Sequence, residues 1–166
     1  MSVKNKNLST YDASAVPDAA GMRIAIVFAG WNKEITGSLL EGALQSLELH
    51  GLKQSDIRVY QVPGSFELPA GAALLIKNGD YDAVICLGCI IQGETRHFEF
   101  IAQAVANGCT QLSVGSGVPV VFGVLTTDTF DQARQRAGGA HGNKGNEAAV
   151  TAIQMAALKK RLSKTP

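Results

Sequence analysis

From Met22 onward the apolar and polar positions of the chain switch repeatedly between two periods. MRIAIVFAG is a short β-branched run ending in Gly30, and residues 34–49 then return Ile35, Leu39, Leu40, Leu44 and Leu47 to one helical face. The same succession recurs as IRVYQVPG before FELPAGAALLIKNG, DAVICLGCII before HFEFIAQAVANG, and PVVFGVLTT before TFDQARQRAGG. Four strand–helix units predict an α/β fold, and right-handed crossovers arrange it as a three-layer α/β/α sandwich on a four-stranded parallel sheet. The strands read as continuous apolar runs, as a parallel sheet covered on both faces requires. A last helix is predicted over residues 146–162, with Glu147 in its first turn and Lys159, Lys160 and Arg161 in its last, matching the helix dipole. It reads as a surface helix. Its alanine-rich face, like that of residues 102–106, also suits close packing against another subunit.

Residues 1–21 show neither period and contain Pro17, so they are expected to form an extended or disordered tail before a single domain at residues 22–166. A length of 166 residues suits one sizeable core. The net charge of +1, with its basic residues scattered, offers no field for nucleic acid or an anionic membrane. Charged residues make up 17% of the chain against an average of about 25%, while 46% are hydrophobic. Part of the surface is therefore expected to be covered by further copies in a homo-oligomer. No segment has the apolar length of a membrane span, and the first twenty residues lack the core of a secretory signal, so a cytoplasmic location is expected. Cys86 and Cys89 have a redox-like spacing, but strand alternation sends them to opposite faces. The cysteines and histidines offer no second closely spaced ligand pair, and no metal is expected.

Ligands of an open parallel sheet bind beyond the carboxyl ends of its strands. Each predicted strand ends in a distinctive cluster: AGWN at 29–32, PGSFE at 63–67, GCIIQGETRH at 88–97 and FGVLTTDT at 122–129. The four are expected to converge on one edge. Trp31, the single tryptophan, suits stacking on a flat heterocycle or covering the helix below, and Asn32 offers amide hydrogen bonds. Ser65, Phe66 and Glu67 open a helix whose free N–H groups suit carbonyl or hydroxyl oxygens, although Ser65 reads equally as a plain N-cap. Phe122, inside an apolar strand, reads by itself as core. Gly93 to His97 form another helix start, a natural phosphate cradle in which Glu94 either takes part or only stabilises the first turn. His97 adds a group able to take and return a proton near neutral pH. The glycine-rich segment RQRAGGAHGNKGNE carries Arg134, Arg136, His141 and Lys144. It is not a nucleotide-hydrolase loop, because Lys144 is followed by Gly145 instead of Ser or Thr. An arginine beside it suits bidentate pairing with a phosphate, or simple solvation. The residues together describe a site for a flat polar ring beside a phosphorylated small molecule.

The ordered series AGWN, VPGSFELP, GCIIQGETRHFEF, PVVFGVLTT and RAGGAHGNKGNEAA closely resembles the lumazine synthase family over residues 23–158. The resemblance implies a flavodoxin-like sandwich, a transferase of riboflavin biosynthesis and no cofactor. The implied reaction condenses 5-amino-6-(D-ribitylamino)uracil with 3,4-dihydroxy-2-butanone 4-phosphate, giving 6,7-dimethyl-8-ribityllumazine, phosphate and water. By the same resemblance Trp31 stacks on the pyrimidine, Ser65, Phe66, Glu67, Cys89, Ile90 and Ile91 hold that ring and its ribityl chain, and Phe122 closes the pocket. Glu94, Thr95 and Arg136 fall at the phosphate, His97 at the proton donor, and Lys144 on a lysine near the site. Gln92 departs from the family, which often has arginine there, with Arg96 a candidate replacement. The family forms pentamers whose sites lie between subunits, some closing into icosahedral shells, and the compact turn 138–147 resembles that of shell-forming members. Riboflavin synthase is the candidate protein partner this brings. A non-catalytic flavin- or pterin-binding protein or storage shell is the alternative, and it would have no need of His97 beside a phosphate cradle.

Overall fold

A computed structural model of the chain describes residue 7 and residues 9–163. Four strands, β1 (Ile24–Ala29), β2 (Ile57–Val62), β3 (Ala83–Ile91) and β4 (Val120–Thr127), form one parallel sheet in the order β2-β1-β3-β4. The order places the long, wholly apolar β3 beside β1, with Ile24 opposite Ala83 and Phe28 opposite Leu87. Helices α1 (Lys33–Leu49) and α5 (Lys144–Ser163) cover one face, and α2 (Leu68–Asn78) and α3 (His97–Ser116) cover the other. Alternate residues of one strand feed both cores: Ile24, Ile26, Ile85 and Leu87 meet Leu39, Leu47 and Ile153, while Ala25, Val27 and Val84 meet Leu68 and Val105. The expected α/β/α sandwich is thus the observed architecture.

Four local differences from the expectations matter. Strand β2 is an edge strand whose residues 58–61 are exposed, so it is not covered on both faces; Val59 and Tyr60 stand open to solvent. Helix α5 keeps one exposed face, as a surface helix does, but its alanine-rich face is not left for another subunit: Ala148, Ala149, Ala152, Ile153 and Ala156 bury it against the sheet and α1. The segment after α4 (Phe130–Gln135) folds into an antiparallel hairpin of β5 (Ala137–Gly139) and β6 (Gly142–Asn143) that periodicity did not suggest. Residues 9–21 lie against the sandwich: Ala19 is buried in the α1–α5 core, and Tyr11 Oη lies 3.0 Å from His50 Nε2 at the end of α1. Residues 1–6 and 8 of the expected tail fall outside the described residues.

Candidate active site

The crossover out of β1 runs to one side of the sheet and the next returns to the other, leaving a crevice between the carboxyl ends of β1 and β3. A cleft of about 640 Å³ opens there, lined by Trp31, Asn32, Ser65, Phe66, Glu67, Cys89, Ile90, Ile91, Gly93, Thr95 and His97. Three of the four strand-end clusters therefore meet as expected. Phe98 and Ile101 of α3 also line it, and their place one and four residues past His97 on a helix is the signal that marks them.

Each wall has a local cause. Asn32 adopts left-handed backbone, φ 56° and ψ 48°, a conformation that asparagine tolerates better than most residues. From there its Nδ2 donates to the Cys89 carbonyl at 3.0 Å and ties the end of β1 to the end of β3. Trp31, 71% exposed, lies across Gly64, where an added Cβ would sit 3.1 Å from the indole. Gly64 N–H donates to Glu67 Oε2 at 3.0 Å, closing a single turn of 3₁₀ helix at Ser65–Glu67 before α2 begins. Ser65 is buried inside that turn and does not cap it; Gly64 holds the cap position. Cys89 is buried, and burial pushes its thiol up to about 11, so it contributes shape and a carbonyl rather than a thiolate.

The phosphate cradle differs in detail from expectation. Residues 93–96 form a bent loop, and α3 begins at His97, whose N–H lies 3.4 Å from Thr95 Oγ1. His97 is exposed in the single chain and stands at the first helical position, at the cleft wall. Glu94 is exposed and outside the lining. Gln92 Nε2 donates to the Gly93 carbonyl at 2.8 Å, and Arg96 turns toward Glu99 at 3.9 Å, so neither is directed at an anion in this arrangement.

The remaining candidates gather elsewhere. Phe122, opposite Cys86 early in β4, lines a second hollow of about 290 Å³ together with Lys144 and Glu147. Arg136 ends α4 and pairs with Glu147 at 3.0 Å, while its Nη1 also donates to the His141 carbonyl at 2.7 Å. Lys144 Nζ reaches Glu147 Oε2 at 3.0 Å. Burial alone would push the Glu147 carboxyl up, but hydrogen bonds from Arg136 and Lys144, together with both charges, outweigh it and hold it below its ordinary value. Glu147 was expected only as a first-turn residue; its place three residues after Lys144 is the sequence signal for the pair. Among the described residues no three His, Cys, Asp or Glu side chains gather as a metal site would need. Cys86 and Cys89 do face opposite cores, and the hydrogen bond with Cys109, followed by burial, pushes the Cys86 thiol up.

A switch-point crevice that pairs an exposed indole with a buried serine turn and a histidine at a helix start defines a doubly wound α/β protein with a small-molecule site. Its family is specific. The profile of 6,7-dimethyl-8-ribityllumazine synthase matches residues 21–160, and the chain belongs to that family. It is 48% identical over 165 residues to the 6,7-dimethyl-8-ribityllumazine synthase of Phocaeicola vulgatus, covering 99% of this chain and 98% of that one. The protein of the same name from Parabacteroides distasonis is 53% identical over 155 residues, 93% of this chain and 97% of its own. That of Cytophaga hutchinsonii is 52% identical over 157 residues, 95% and 98% of the two chains. Among the described residues no helix is long and apolar enough to cross a membrane.

Proposed function

We propose that this chain joins 5-amino-6-(D-ribitylamino)uracil to 3,4-dihydroxy-2-butanone 4-phosphate, forming 6,7-dimethyl-8-ribityllumazine. The observation that carries the reading is the convergence of Trp31, Ser65–Glu67, Cys89–Ile91, Thr95 and His97 on one cleft. The uracil's amine attacks the ketone, releasing water as an imine forms. Phosphate then leaves by elimination, and attack of the second amine closes the ring with loss of a further water. Trp31 stacks on the pyrimidine, the Ser65 turn and the β3 end hold its polar edge and the ribityl chain, and His97 moves protons at the reacting carbons. Orientation of two reactants supplies more of the acceleration than the histidine, whose share is about 10²- to 10⁴-fold. Mixing protein with both substrates should release phosphate and generate green fluorescence; no product above the slow background overturns the reading in favour of a flavin- or pterin-binding module.

Phe122, Arg136 and Lys144 complete the site from a neighbouring copy in a cytoplasmic homopentamer. Two features support this: Phe122 and Lys144 line a hollow apart from the cleft, with Arg136 paired to Glu147 beside it, and Trp31, Phe66 and Phe100 stand exposed on a single chain. Glu94 and Thr95 face the phosphate in that assembly, with Arg136 as its bidentate partner. Closure of pentamers into a shell is the further assembly we propose from the compact turn at 138–147, and light scattering at high phosphate concentration reads it; a lone pentamer there overturns the shell.

A further inference from the structure

Lys144 in the second hollow and Arg136 beside it are organised by one carboxylate, and that carboxylate is held from an unexpected direction. Glu147 Oε1 pairs with Arg136 Nη1 at 3.0 Å, and Oε2 meets Lys144 Nζ at 3.0 Å and Arg136 Nη2 at 3.3 Å. Both oxygens are thus engaged on the cation side. Ser9, from the tail segment, approaches from the opposite end of the chain: its Oγ accepts from Asn143 N–H at 2.7 Å and directs its one proton between Glu147 Oε1 at 3.0 Å and the Asn143 carbonyl at 3.1 Å. The seat for it is built into the hairpin. Gly142 has φ 86°, and a side chain there would collide with Asn7 and Ser9. The partly buried hydroxyl meets a charged acceptor, the kind of hydrogen bond that holds geometry most firmly.

We infer that Ser9 is a positioning residue for phosphate recognition, acting through Glu147 on Arg136 and Lys144. The inference rests on the proposed role of those two cations. A carboxylate free to turn about its last bond would let the guanidinium and ammonium follow it, whereas the Ser9 hydrogen bond fixes its plane. The N–H groups not engaged by Glu147 or the His141 carbonyl then keep a constant direction toward an incoming anion. The tail thereby becomes part of the site without touching substrate.

The test compares Ser9→Ala and Ser9→Thr with wild type in the full-length protein, using steady-state kinetics with both substrates and inhibition by inorganic phosphate. Ser9→Ala should raise the butanone phosphate KM and the phosphate inhibition constant together, by about two- to fivefold. The uracil KM and kcat should stay unchanged, and Ser9→Thr, which keeps a hydroxyl, should return both constants toward wild type. Unchanged phosphate constants in Ser9→Ala, or equal rises in both KM values, overturn the inference. Arg136→Gln in the same assay separates the two levels. If it leaves the phosphate constants unmoved, the assignment of the cations falls; if it raises them while Ser9→Ala does not, only the role of Ser9 falls.

Discussion

The strand-end cleft and the second hollow are built in opposite ways. The cleft is a product of topology: β1, β2 and β3 deliver Trp31, Ser65 and Cys89 to one place because the crossovers reverse between β1 and β3. Its walls are mostly apolar or backbone, suited to a flat ring. The charged cluster at the hollow is a product of local chain geometry, a hairpin and a helix start that bring Arg136 and Lys144 into contact with Glu147. Two cations there are held by an internal counter-ion, so the positive charge is oriented before any anion arrives. In the proposed reading, shape recognition comes from the sheet, and charge recognition from a short segment that the sheet does not position.

The comparison breaks most directly by disabling each region separately. His97→Ala in the cleft should lower kcat by about 10²- to 10⁴-fold with both KM values nearly unchanged. If it abolishes detectable turnover while both substrates still bind, orientation is not the leading contribution. Arg136→Gln beside the hollow removes charge-assisted hydrogen bonds of about 1.5–3 kcal/mol, so the butanone phosphate KM should rise about 10- to 100-fold with the uracil KM unchanged. Co-expressing the two variants sharpens the contrast. If the regions complement each other between copies, about a quarter of the sites in randomly mixed rings pair an intact cleft with an intact hollow, and activity returns above either variant alone. No recovery in verified mixed assemblies places both regions of each working site on one chain.

The sheet and cleft were legible because both follow from patterns longer than a residue. Apolar runs and helical periods gave the four strands, and the strand-end rule gave the meeting of Trp31, Ser65, Cys89 and His97. What escaped was set by contacts between distant segments. Edge exposure of β2 depends on which strand lies at the border, which apolar content does not encode: Val59 and Tyr60 read like buried residues. The burial of α5 depends on small residues meeting α1, and alanines do not announce which neighbour they will accept. Ser9 lies 134 residues from Asn143 and 138 from Glu147, in a segment without period, so no local signal joins them. Phe122 fell in a strand-end cluster by sequence, yet it pairs with Cys86 early in β4 and lines the hollow instead.

Smaller effects probe how rigidly the cleft is made. Trp31→Ala should raise the uracil KM by about tenfold, from loss of stacking worth 0.5–1.5 kcal/mol beyond buried area, and leave phosphate inhibition unchanged. Asn32 offers a finer cut, because it combines left-handed backbone with the hydrogen bond to the Cys89 carbonyl. Asn32→Gly keeps the backbone conformation and removes the bond, whereas Asn32→Ala loses both. The alanine variant should therefore melt lower than the glycine variant, by the equivalent of about 1 kcal/mol. Equal melting temperatures would show that the conformation is not a constraint at this position.

The smallest expected effect tests the counter-ion itself. Glu147 is held below the ordinary glutamate value of 4.5 in the folded chain, so between that value and the folded one the unfolded chain binds more proton. Its contribution to stability is fully present above about pH 4.5 and is lost as the pH falls through the folded value. Denaturant titrations from pH 6 downward should show wild type losing stability on acidification, beyond the loss in Glu147→Gln. The two curves should converge at the acid end, where the wild-type carboxyl is also neutral. Phosphate inhibition measured over the same range should tie this to the site: in wild type it should change as Glu147 protonates, and in the glutamine variant that component should be absent. Parallel stability curves at every pH would mean that Arg136 and Lys144 are not held through the charge of Glu147, and the hollow would then be organised by shape, as the cleft is.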